Sequence, residues 1–511
     1  MSTEWQCLIH WKDASDISKM AETKKSGETK HPLYGRYPSK EMKAIFGDER
    51  KFTGWRDCWI ALAECERELG VDQIKSEYIE TLKRFRNDIP YERAAELETK
   101  LKHDVMAHIK AYQEQVDPVC PGAGGIIHYG ATSMFPCDNT ELGQMKDGLD
   151  LVIGKTVNVF RRMKPFAEEY MDAACLGRTH FQNAQPTTYG KRICDWTYNF
   201  VLSLENVVNE RRKIKGLGVK GTTGTQDSFM KIFNGDVEKI VKLDEMVCKK
   251  LGFNGSYKIT TQTYPRIVDY QILSAISGLA VAAKKMCTDL RLLQGLGELS
   301  EPFGKEQIGS SAMAYKRNPM KAERVCGLSR HVFSGSHEAA EYGSEQWLER
   351  TLDDSAERRI VIADTFLGID SILNLTLDIF SHDSEKQYGF RVYRKKALAN
   401  LMKEMPFMIT EEVIDRGVKA GGDRQEIHEI IRQCSMRARE NIDEGGEGDM
   451  FGLMAARPEL GISLFQKENL MKPMNYVGSV DSQCKRFFEE TLNPILESYL
   501  HIPNMQGGVK V

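Results

Sequence analysis

The sequence lacks the features that mark several large classes of protein. Its 12 cysteines are scattered singly from Cys7 to Cys484 without a C-x-x-C pair, which favours neither a disulfide framework nor a zinc knuckle. No apolar run reaches about 18 residues, and the charged N-terminal stretch has no apolar core typical of a secretory signal. We therefore expect a soluble protein of a reducing, cytoplasmic compartment.

The sequence also contains few prolines and has a small net charge. The 511 residues include 16 prolines, about 3% where about 5% is usual, which favours long helices over a sandwich or a barrel. The 70 basic and 73 acidic residues give a net charge of −3 and leave no broad basic field for a nucleic-acid polymer or a membrane surface. Any recognition of an anion must therefore be local.

The sequence does contain strong helical periodicity. Trp196, Phe200, Leu204 and Val207 recur every three or four residues, which is typical of helices packed in a bundle. A longer series with the same spacing is formed by Ile272, Ile276, Leu279, Ala283, Met286 and Leu290. Glycine- and threonine-rich breaks at 216–225 and 304–311 separate such stretches, and 360–379 predicts another apolar helix. The predicted fold is all-α with a central long-helix bundle.

Changes of composition predict four regions of the chain. Residues 1–30 are polar and aperiodic and are expected to form a flexible N-terminal arm. An N-terminal helical domain is predicted at 31–132, because the segment 116–139 is too rich in glycine and proline for a helix interior. The central bundle domain is predicted at 133–384 and a C-terminal helical domain at 385–511.

One glycine-rich segment mimics a known motif. Gly216, Gly218 and Gly221 form a G-x-G-x-x-G pattern, but the charged stretch NERRKIK precedes it where a dinucleotide site requires a strand. The neighbouring GVKGTTGTQDS is either a plain turn or a contact for an anionic ligand through its N–H groups. The two histidines of KHDVMAH are five residues apart, which does not match a zinc motif. No metal and no cofactor are predicted.

The most specific segment is GSSAMAYKRNPMKAE, residues 309–323. Its Gly-Ser-Ser turn, lysine and Asn-Pro place a hydroxyl, an ammonium and an amide on one loop. This loop resembles that of the fumarase/aspartase superfamily of lyases, and within it the adenylosuccinate lyase family of the animal type. Ala314 stands where that family normally has proline, so one restraint on the open loop is missing.

Further segments resemble the same family in the same order along residues 30–500. They are HPLYGRYPSKEM, KHDVMAH, GIIHYGATS, GRTHFQNAQPTT, GTTGTQDS and WLERTLDDSAERR. The resemblance implies a fumarase/aspartase-like fold of three helical domains and a homotetramer with shared active sites. It also implies a nucleotide substrate: cofactor-free β-elimination of fumarate from adenylosuccinate, and from the succinylated aminoimidazole-carboxamide ribotide SAICAR.

The resemblance also implies roles for single residues. Ser310 would be the base that removes the Cβ proton, His180 the acid that protonates the leaving nitrogen, and Glu323 the carboxylate that orients His180. Bidentate arginines suit a phosphate, and hydroxyl and amide donors suit the succinyl carboxylates. The expected substrate-binding residues are Arg36, Tyr37, Lys102, His103, Asp104, Thr132, Ser133, Thr179, Gln226, Lys316, Asn318, Arg324, Arg350, Ser355 and Arg359.

Three alternatives stay open at the level of sequence. Arg350 and Arg359 lie among acidic residues and fit an ordinary salt-bridged helix as well as a phosphate site. A sister lyase, such as argininosuccinate lyase, shares the loop, although KHDVMAH, GRTHFQ and ERTLDDSAERR fit the nucleotide enzyme better. A catalytically silent structural relative is expected to have lost Ser310, His180 or Lys316, and all three are present.

Overall fold

The structure is a computed structural model that describes residues 31–385 and 387–508. The arm predicted at 1–30 lies outside the described residues. The prediction of an all-α fold is confirmed, because long helices account for most of the described chain and the strands are few and short.

The N-terminal part consists of short helices around one long helix. Ser39 caps the second helix by accepting from the Met42 N–H, and His103 caps the sixth by accepting from the Met106 N–H. Trp55 and Trp59 of the third helix are each 1% exposed and belong to the core of this part. The helices are α1 Pro32–Arg36, α2 Lys40–Ile45, α3 Asp48–Glu68, α4 Ser76–Arg84, α5 Tyr91–Leu101 and α6 Asp104–Val116, followed by a 3₁₀ turn, Ala123–Ile126.

Long helices form the central bundle. The helices are α7 Met134–Glu169, α8 Tyr189–Lys213, α9 Asp227–Ile232, α10 Val237–Lys250, α11 Ile267–Gly295, α12 Met320–Ser344 and α13 Asp353–Ile379. Every member of the predicted apolar series from Ile272 to Leu290 is at most 1% exposed. Burying such a stripe removes apolar surface from water, at about 25 cal/mol per Å², and this burial holds the helices together.

Three small antiparallel sheets connect the bundle to its surroundings. β1 Ala174–Thr179 pairs with β2 Gln182–Thr188, with Ala174 opposite Thr188 and Thr179 opposite Gln182. The other pairs are β3 Leu299–Ser300 with β6 Arg391–Val392 and β4 Phe303–Gly304 with β5 Gln387–Tyr388. The first pair is the only hairpin among them in the described chain, and its turn falls at His180 and Phe181.

Helices of 4 to 20 residues form the C-terminal part. They are α14 Arg394–Met408, α15 Thr410–Lys419, α16 Arg424–Asp443, α17 Met450–Ala455, α18 Lys467–Leu470, α19 Val480–Phe487 and α20 Asn493–Ser498; between them lie 3₁₀ turns at Pro458–Leu460, Leu464–Gln466 and Pro473–Tyr476 and a π turn at Phe488–Leu492. The predicted domain boundaries stay a prediction. Leu176 packs with the core of this C-terminal part, whereas Cys484 packs with the bundle core.

The long helices define two ends of the bundle. At 1.5 Å per residue, α12 spans about 37 Å, α11 about 43 Å and α7 about 54 Å. We call one end of the bundle the pocket end: α7, α11 and α13 begin there, and α12 ends there. The opposite end is the loop end. Within the described chain, α11 and α13 are long and apolar enough to span a membrane by composition, and both are packed in the bundle.

One buried carboxyl group of α3 lacks a hydrogen-bond partner in the described chain. Both carboxyl oxygens of Glu66 are buried without a hydrogen-bond partner in the described chain. Burial raises the pKa of Glu66 to about 9, so the native protein holds this side chain protonated at neutral pH.

The protonation of Glu66 makes stability pH-dependent. Because its pKa is raised above the ordinary value of 4.5, the native state binds one proton more than the unfolded state between these values. We expect the free energy of unfolding to fall by up to about 1.4 kcal/mol per pH unit from about pH 5 to pH 9. Urea unfolding of Glu66→Met should lack this slope. The exposed-site control Glu68→Met should keep it, and equal slopes in both variants would contradict the assignment.

Candidate active site

Seven predicted residues line one cavity of about 480 Å³ at the pocket end. They come from three separate stretches of sequence, which the fold brings together. The residues are Lys102, His103, Asp104, Ser133, Arg350, Ser355 and Arg359. The cavity is large enough for a small-molecule ligand.

Three helix N-termini converge on this cavity. The α6 helix begins after His103, α7 after Ser133 and α13 just before Ser355, and all three residues line the cavity wall. Each N-terminus carries about half a positive charge. Several first-turn N–H groups are already bonded within the chain, as in α6, where Asp104 accepts from Val105 and His103 from Met106. Lys102 adopts the left-handed conformation, φ 54°, which ends α5 and turns the chain directly into α6. The backbone itself therefore makes the cavity attractive to anions.

The cavity arginines are ion-paired within the chain. Arg350 contacts Asp354 at 2.6 Å, and Arg359 contacts Asp104 at 2.7 Å. Arg350 and Asp354 have the i,i+4 spacing of an ordinary salt bridge at a helix end. This spacing agrees with the structural alternative, in which these arginines belong to a salt-bridged helix. Both arginines also line the cavity, so the structure is compatible with the structural and the ligand-binding interpretation.

A buried ion network lies behind the cavity. Arg266 contacts Asp138 at 3.1 Å and Asp354 at 3.0 Å, while Arg358 contacts Asp269 at 2.8 Å. Burial raises the pKa of Asp138 to about 6, and the two arginines counteract it. Burial opposes the charge of Arg358, but the surrounding carboxylates outweigh it and hold the pKa of Arg358 above its ordinary value. The network fixes the position of Arg350 through the shared Asp354.

The two predicted catalytic residues lie at the loop end. Thr179 and His180 are exposed at the tip of the β1–β2 hairpin, where His180 and Phe181 have φ of 53° and 59°. Arg178 anchors this hairpin by contacting the buried Glu298 at 3.2 Å, just beyond the last turn of α11. His180 is therefore displayed on a short, fixed hairpin and not buried among packing residues.

The Ser310 loop precedes α12 and is folded back on itself. The Ser310 hydroxyl accepts from the N–H groups of Met313 at 3.2 Å and Ala312 at 3.3 Å. Asn318 donates to the Gly309 carbonyl at 2.8 Å, and a side chain at position 309 would collide with the Lys316 carbonyl. Lys316 itself is exposed. The loop thus holds Ser310 beside the first turn of α12.

The remaining predicted residues lie outside the cavity lining. Glu323 is exposed in the first turn of α12, and Arg324 lies beside it. The side chains of Glu323 and His180 are both exposed, and no hydrogen bond or ion pair joins them within the described residues. The predicted orienting role of Glu323 is therefore not visible within one chain and stays a prediction.

Four further predicted residues also lie outside the cavity lining. Thr132 directly precedes Ser133, and Gln226 donates to the Val219 carbonyl at 2.8 Å. The Tyr37 carbonyl accepts from Asn374 at 3.1 Å, which places Tyr37 beside the last third of α13. The structure does not bring Arg36 into the cavity with Arg350 and Arg359.

Apart from Arg36 and Tyr37, the predicted site residues thus form two groups on opposite ends of the bundle. Gln294, in the last turn of α11, donates to the Arg317 carbonyl of the Ser310 loop at 2.9 Å. Arg266, just before the first turn of the same helix, contacts Asp354 behind the cavity. The length of α11 therefore separates the Ser310 loop from the cavity by about 40 Å within one chain.

Several cavity residues were missed by the sequence interpretation. The lining also includes Lys51, Trp55, Glu98, Cys137 and Glu141. Lys51 and Trp55 are four residues apart on α3, so one face of that helix closes the cavity. The sequence offered only the amphipathic pattern of α3, in which Lys51 is indistinguishable from a solvated lysine.

Two histidines near the cavity belong to the core. Burial lowers the pKa of His108 and of His128 to about 4, so both are neutral near pH 7. His128 accepts from the Trp59 indole N–H at 3.0 Å, and His108 stacks on Phe52. Among the described residues, no group of three or more His, Cys, Asp or Glu side chains is placed to hold a metal ion.

Comparisons with known proteins agree on one family. A lyase family model matches residues 36–334, and a model described as adenylosuccinate lyase C-terminus matches residues 406–487. The chain is 43% identical to adenylosuccinate lyase of Saccharomyces cerevisiae, over 92% of this chain and 95% of that protein. It is 41% identical to adenylosuccinate lyase of Schistosoma mansoni, over 92% and 96%.

Solved structures show the same fold at much lower identity. Beta-carboxy-cis,cis-muconate cycloisomerase from Acinetobacter calcoaceticus superposes with a TM-score of 0.77 at 18% identity, covering 90% of this chain and 100% of that one. For the 3-carboxy-cis,cis-muconate lactonizing enzyme of Pseudomonas putida the TM-score is 0.78 at 19% identity, covering 93% and 100%. The fold similarity extends over nearly the whole chain. With two family models and near-full-length relatives in agreement, the chain belongs to the adenylosuccinate lyase family.

Proposed function

We propose that this chain eliminates fumarate from adenylosuccinate to give AMP, and from SAICAR to give the aminoimidazole-carboxamide ribotide AICAR. The observation that carries the proposal is the match of nearly the whole chain to adenylosuccinate lyases, at 40 to 43% identity. The cationic cavity and the intact Ser310 loop support the same activity. A cytoplasmic location, as the composition predicts, belongs to this proposal.

The elimination needs one proton to be removed and another to be supplied. In the proposed reaction, the Ser310 alkoxide takes the proton from Cβ of the succinyl group, and the electron pair forms the fumarate double bond as the C–N bond breaks. His180 gives its proton to the leaving nitrogen. Donors around the succinyl carboxylate stabilise the negative charge that builds up there. No external reductant or oxidant enters this balance.

The loop geometry supports Ser310 as the base. A serine hydroxyl loses its proton reluctantly in water, and the Ala312 and Met313 N–H groups that point at its oxygen stabilise the alkoxide. Lys316, six residues further along the same loop, supplies a positive charge. The neighbouring Ser311 is exposed and accepts no hydrogen bond from the described chain.

The cavity supports binding of an anionic nucleotide. Its arginines suit a phosphate because a guanidinium group can donate two parallel N–H bonds, and the positive ends of three helices add to the attraction. Lys51 and Lys102 are cavity cations without a carboxylate partner in the described chain, whereas Arg350 and Arg359 are paired. Lys51 lies over the Trp55 ring, 5.3 Å from its centroid, which holds the ammonium at the cavity wall. We assign Lys51 to binding an anionic group of the substrate.

The separation of the two residue groups supports a shared site in a homotetramer. The Ser310 loop and the His180 hairpin lie a helix length from the cavity, so chains packed side by side in opposite directions would bring them to the cavity of a neighbour. Exposed apolar residues on two bundle helices are available for such packing: Tyr198, Leu202, Ile267, Tyr270, Val281 and Leu292.

Replacement of the two loop serines tests the base. Ser310→Ala should lower kcat by about 10²- to 10⁴-fold, because the general base is lost. Ser311→Ala is the matched control and should stay within about tenfold of wild type. Absorbance-monitored cleavage of adenylosuccinate measures both. A larger loss of kcat in Ser311→Ala than in Ser310→Ala would identify Ser311, and not Ser310, as the base.

Mixed oligomers test the shared site. Ser310→Ala and Arg359→Ala chains with different tags are co-expressed, and oligomers carrying both tags are purified. If each site takes its loop and its cavity from different copies, random assembly in equal amounts restores about one quarter of wild-type activity. Each variant expressed alone is the control. Doubly tagged oligomers as inactive as the single variants would place the whole site in one chain.

Substitution of Lys51 tests the cavity cation. Lys51→Met should raise KM about 10- to 100-fold with little change in kcat, because a charge-assisted contact of about 1.5–3 kcal/mol is lost on binding. Lys51→Arg should retain most of the affinity. Lys110→Met is the control, since Lys110 is exposed on α6 and does not line the cavity. A KM unchanged in Lys51→Met would remove Lys51 from the site.

A further inference from the structure

Two buried carboxylates follow the end of α11 within a few residues of each other. Glu298 is 0% exposed and Glu301 is 3% exposed. The residues between them form β3, which pairs with β6, and the Glu298 carbonyl accepts from the Tyr393 N–H at 2.8 Å. A carboxylate loses its hydration when it is buried and needs donors from the protein in exchange. The donors to each carboxylate therefore show which part of the fold it holds.

Glu298 holds the hairpin that displays His180. One of its carboxylate oxygens accepts from Arg178 at 3.2 Å and from Asn400 at 3.0 Å, and the other accepts from the Tyr189 hydroxyl at 2.7 Å. Arg178 lies in β1, two residues before His180, whereas Tyr189 directly follows β2 and begins α8. Glu298 therefore fastens both strands of the hairpin to the end of α11.

The tip of this hairpin has a backbone conformation that its residues disfavour. His180 and Phe181 have φ of 53° and 59°, and Thr179 pairs with Gln182 on either side of them. Two-residue turns with positive φ at both positions favour Asn-Gly, because positive φ crowds a larger side chain. The strands must therefore impose the turn, and loosened strands would leave His180 without a fixed direction.

Glu301 caps the helix that follows the Ser310 loop. Its two carboxylate oxygens accept from the backbone N–H groups of Lys321 and Ala322, each at 2.9 Å. Both N–H groups belong to the first turn of α12, and Pro319, directly before this helix, provides no side-chain cap. A charged cap from a distant segment thus replaces the usual local one and fixes the start of α12.

The same segment also holds the end of the Ser310 loop. The Gln294 side chain accepts from the Glu301 N–H at 3.1 Å and donates to the Arg317 carbonyl at 2.9 Å. The Arg317 guanidinium lies over the Phe303 ring of β4, 5.4 Å from its centroid. The loop is therefore joined to the residues around Glu301 by its backbone and by a side chain.

We propose that Glu298 and Glu301 are positioning residues for the elimination: Glu298 fixes His180 through the hairpin, and Glu301 fixes Ser310 through the first turn of α12. Both carboxylates are buried and neither lines the substrate cavity, so each acts through another residue. The roles of His180 and Ser310 rest on the proposed function, whereas the two anchors are features of the fold.

Hydrogen exchange of the full-length protein tests the two anchors separately. Glu298→Ala should raise amide exchange in residues 174–188 about tenfold or more and leave residues 309–322 within about twofold of wild type, because only the hairpin is released. Glu301→Ala should give the reverse pattern. Glu306→Ala, the control, removes an exposed carboxylate between β4 and the Ser310 loop and should change neither segment. Equal exchange in both segments of both alanine variants would overturn the proposal.

Kinetics tests whether the anchors act through the two residues. Glu298→Ala and Glu301→Ala should each lower kcat about 10- to 100-fold and keep KM within about threefold, because the cavity lies at the other end of the bundle. In a His180→Ala background, Glu298→Ala should lower the remaining kcat less than about twofold, since the acid is already absent. A further tenfold loss in this double variant, or a KM that rises as much as kcat falls, would indicate a general structural role and overturn the proposal.

Two milder variants keep the test decisive if an alanine variant does not fold, as judged by circular dichroism. Arg178→Met removes the Glu298 contact from its less buried side and should reproduce the effect of Glu298→Ala, whereas Arg178→Lys keeps the charge and should retain most of the activity. Glu301→Gln removes the charge of the cap and should free residues 309–322 alone. If wild type does not cleave adenylosuccinate, the proposed function fails, and the exchange pattern still decides the anchoring.

Discussion

The pocket end of the bundle depends on two buried arginines. Arg266 and Arg358 join carboxylates from α7, α11 and the first turn of α13, and the hydroxyl of Tyr342, on α12, donates to Asp269 at 3.1 Å. Four helices are therefore fixed by one network that is almost closed to water. Removal of one member would leave an unpaired buried charge, at a cost of about 3–5 kcal/mol. The ligand cavity is built on this base.

The network also explains why the cavity can present strong cations without disturbing the fold. Asp354 accepts from Arg266 on the buried side and from Arg350 on the cavity side. The position of Arg350 is thus set by a carboxylate that is itself fixed by the core. Arg359 follows Asp354 by five residues on α13. It is paired with Asp104 of α6 and closes the cavity from the other wall. Binding geometry and helix packing are therefore coupled at the same residues.

Much of the fold was predictable because it depends on local periodicity. The apolar series from Ile272 to Leu290 determines both that α11 is a helix and which face is buried. The grouping of the site residues was not predictable from spacing, since Ser133 and Arg350 are distant in sequence and adjacent in space. Lys51 and Glu66 show a second limit of prediction from sequence. Their environments arise from packing between helices, which no pattern within α3 records.

The distance between the two ends of the bundle has a further meaning for variation in this family. If neighbouring chains must align one end with the other, the number of residues in α11 and α12 is itself constrained, whatever their identity. Loss of a single helical turn would displace one half of the site by about 5 Å, far more than bond making tolerates. In the proposed shared site, the length of these helices would therefore be under selection in its own right.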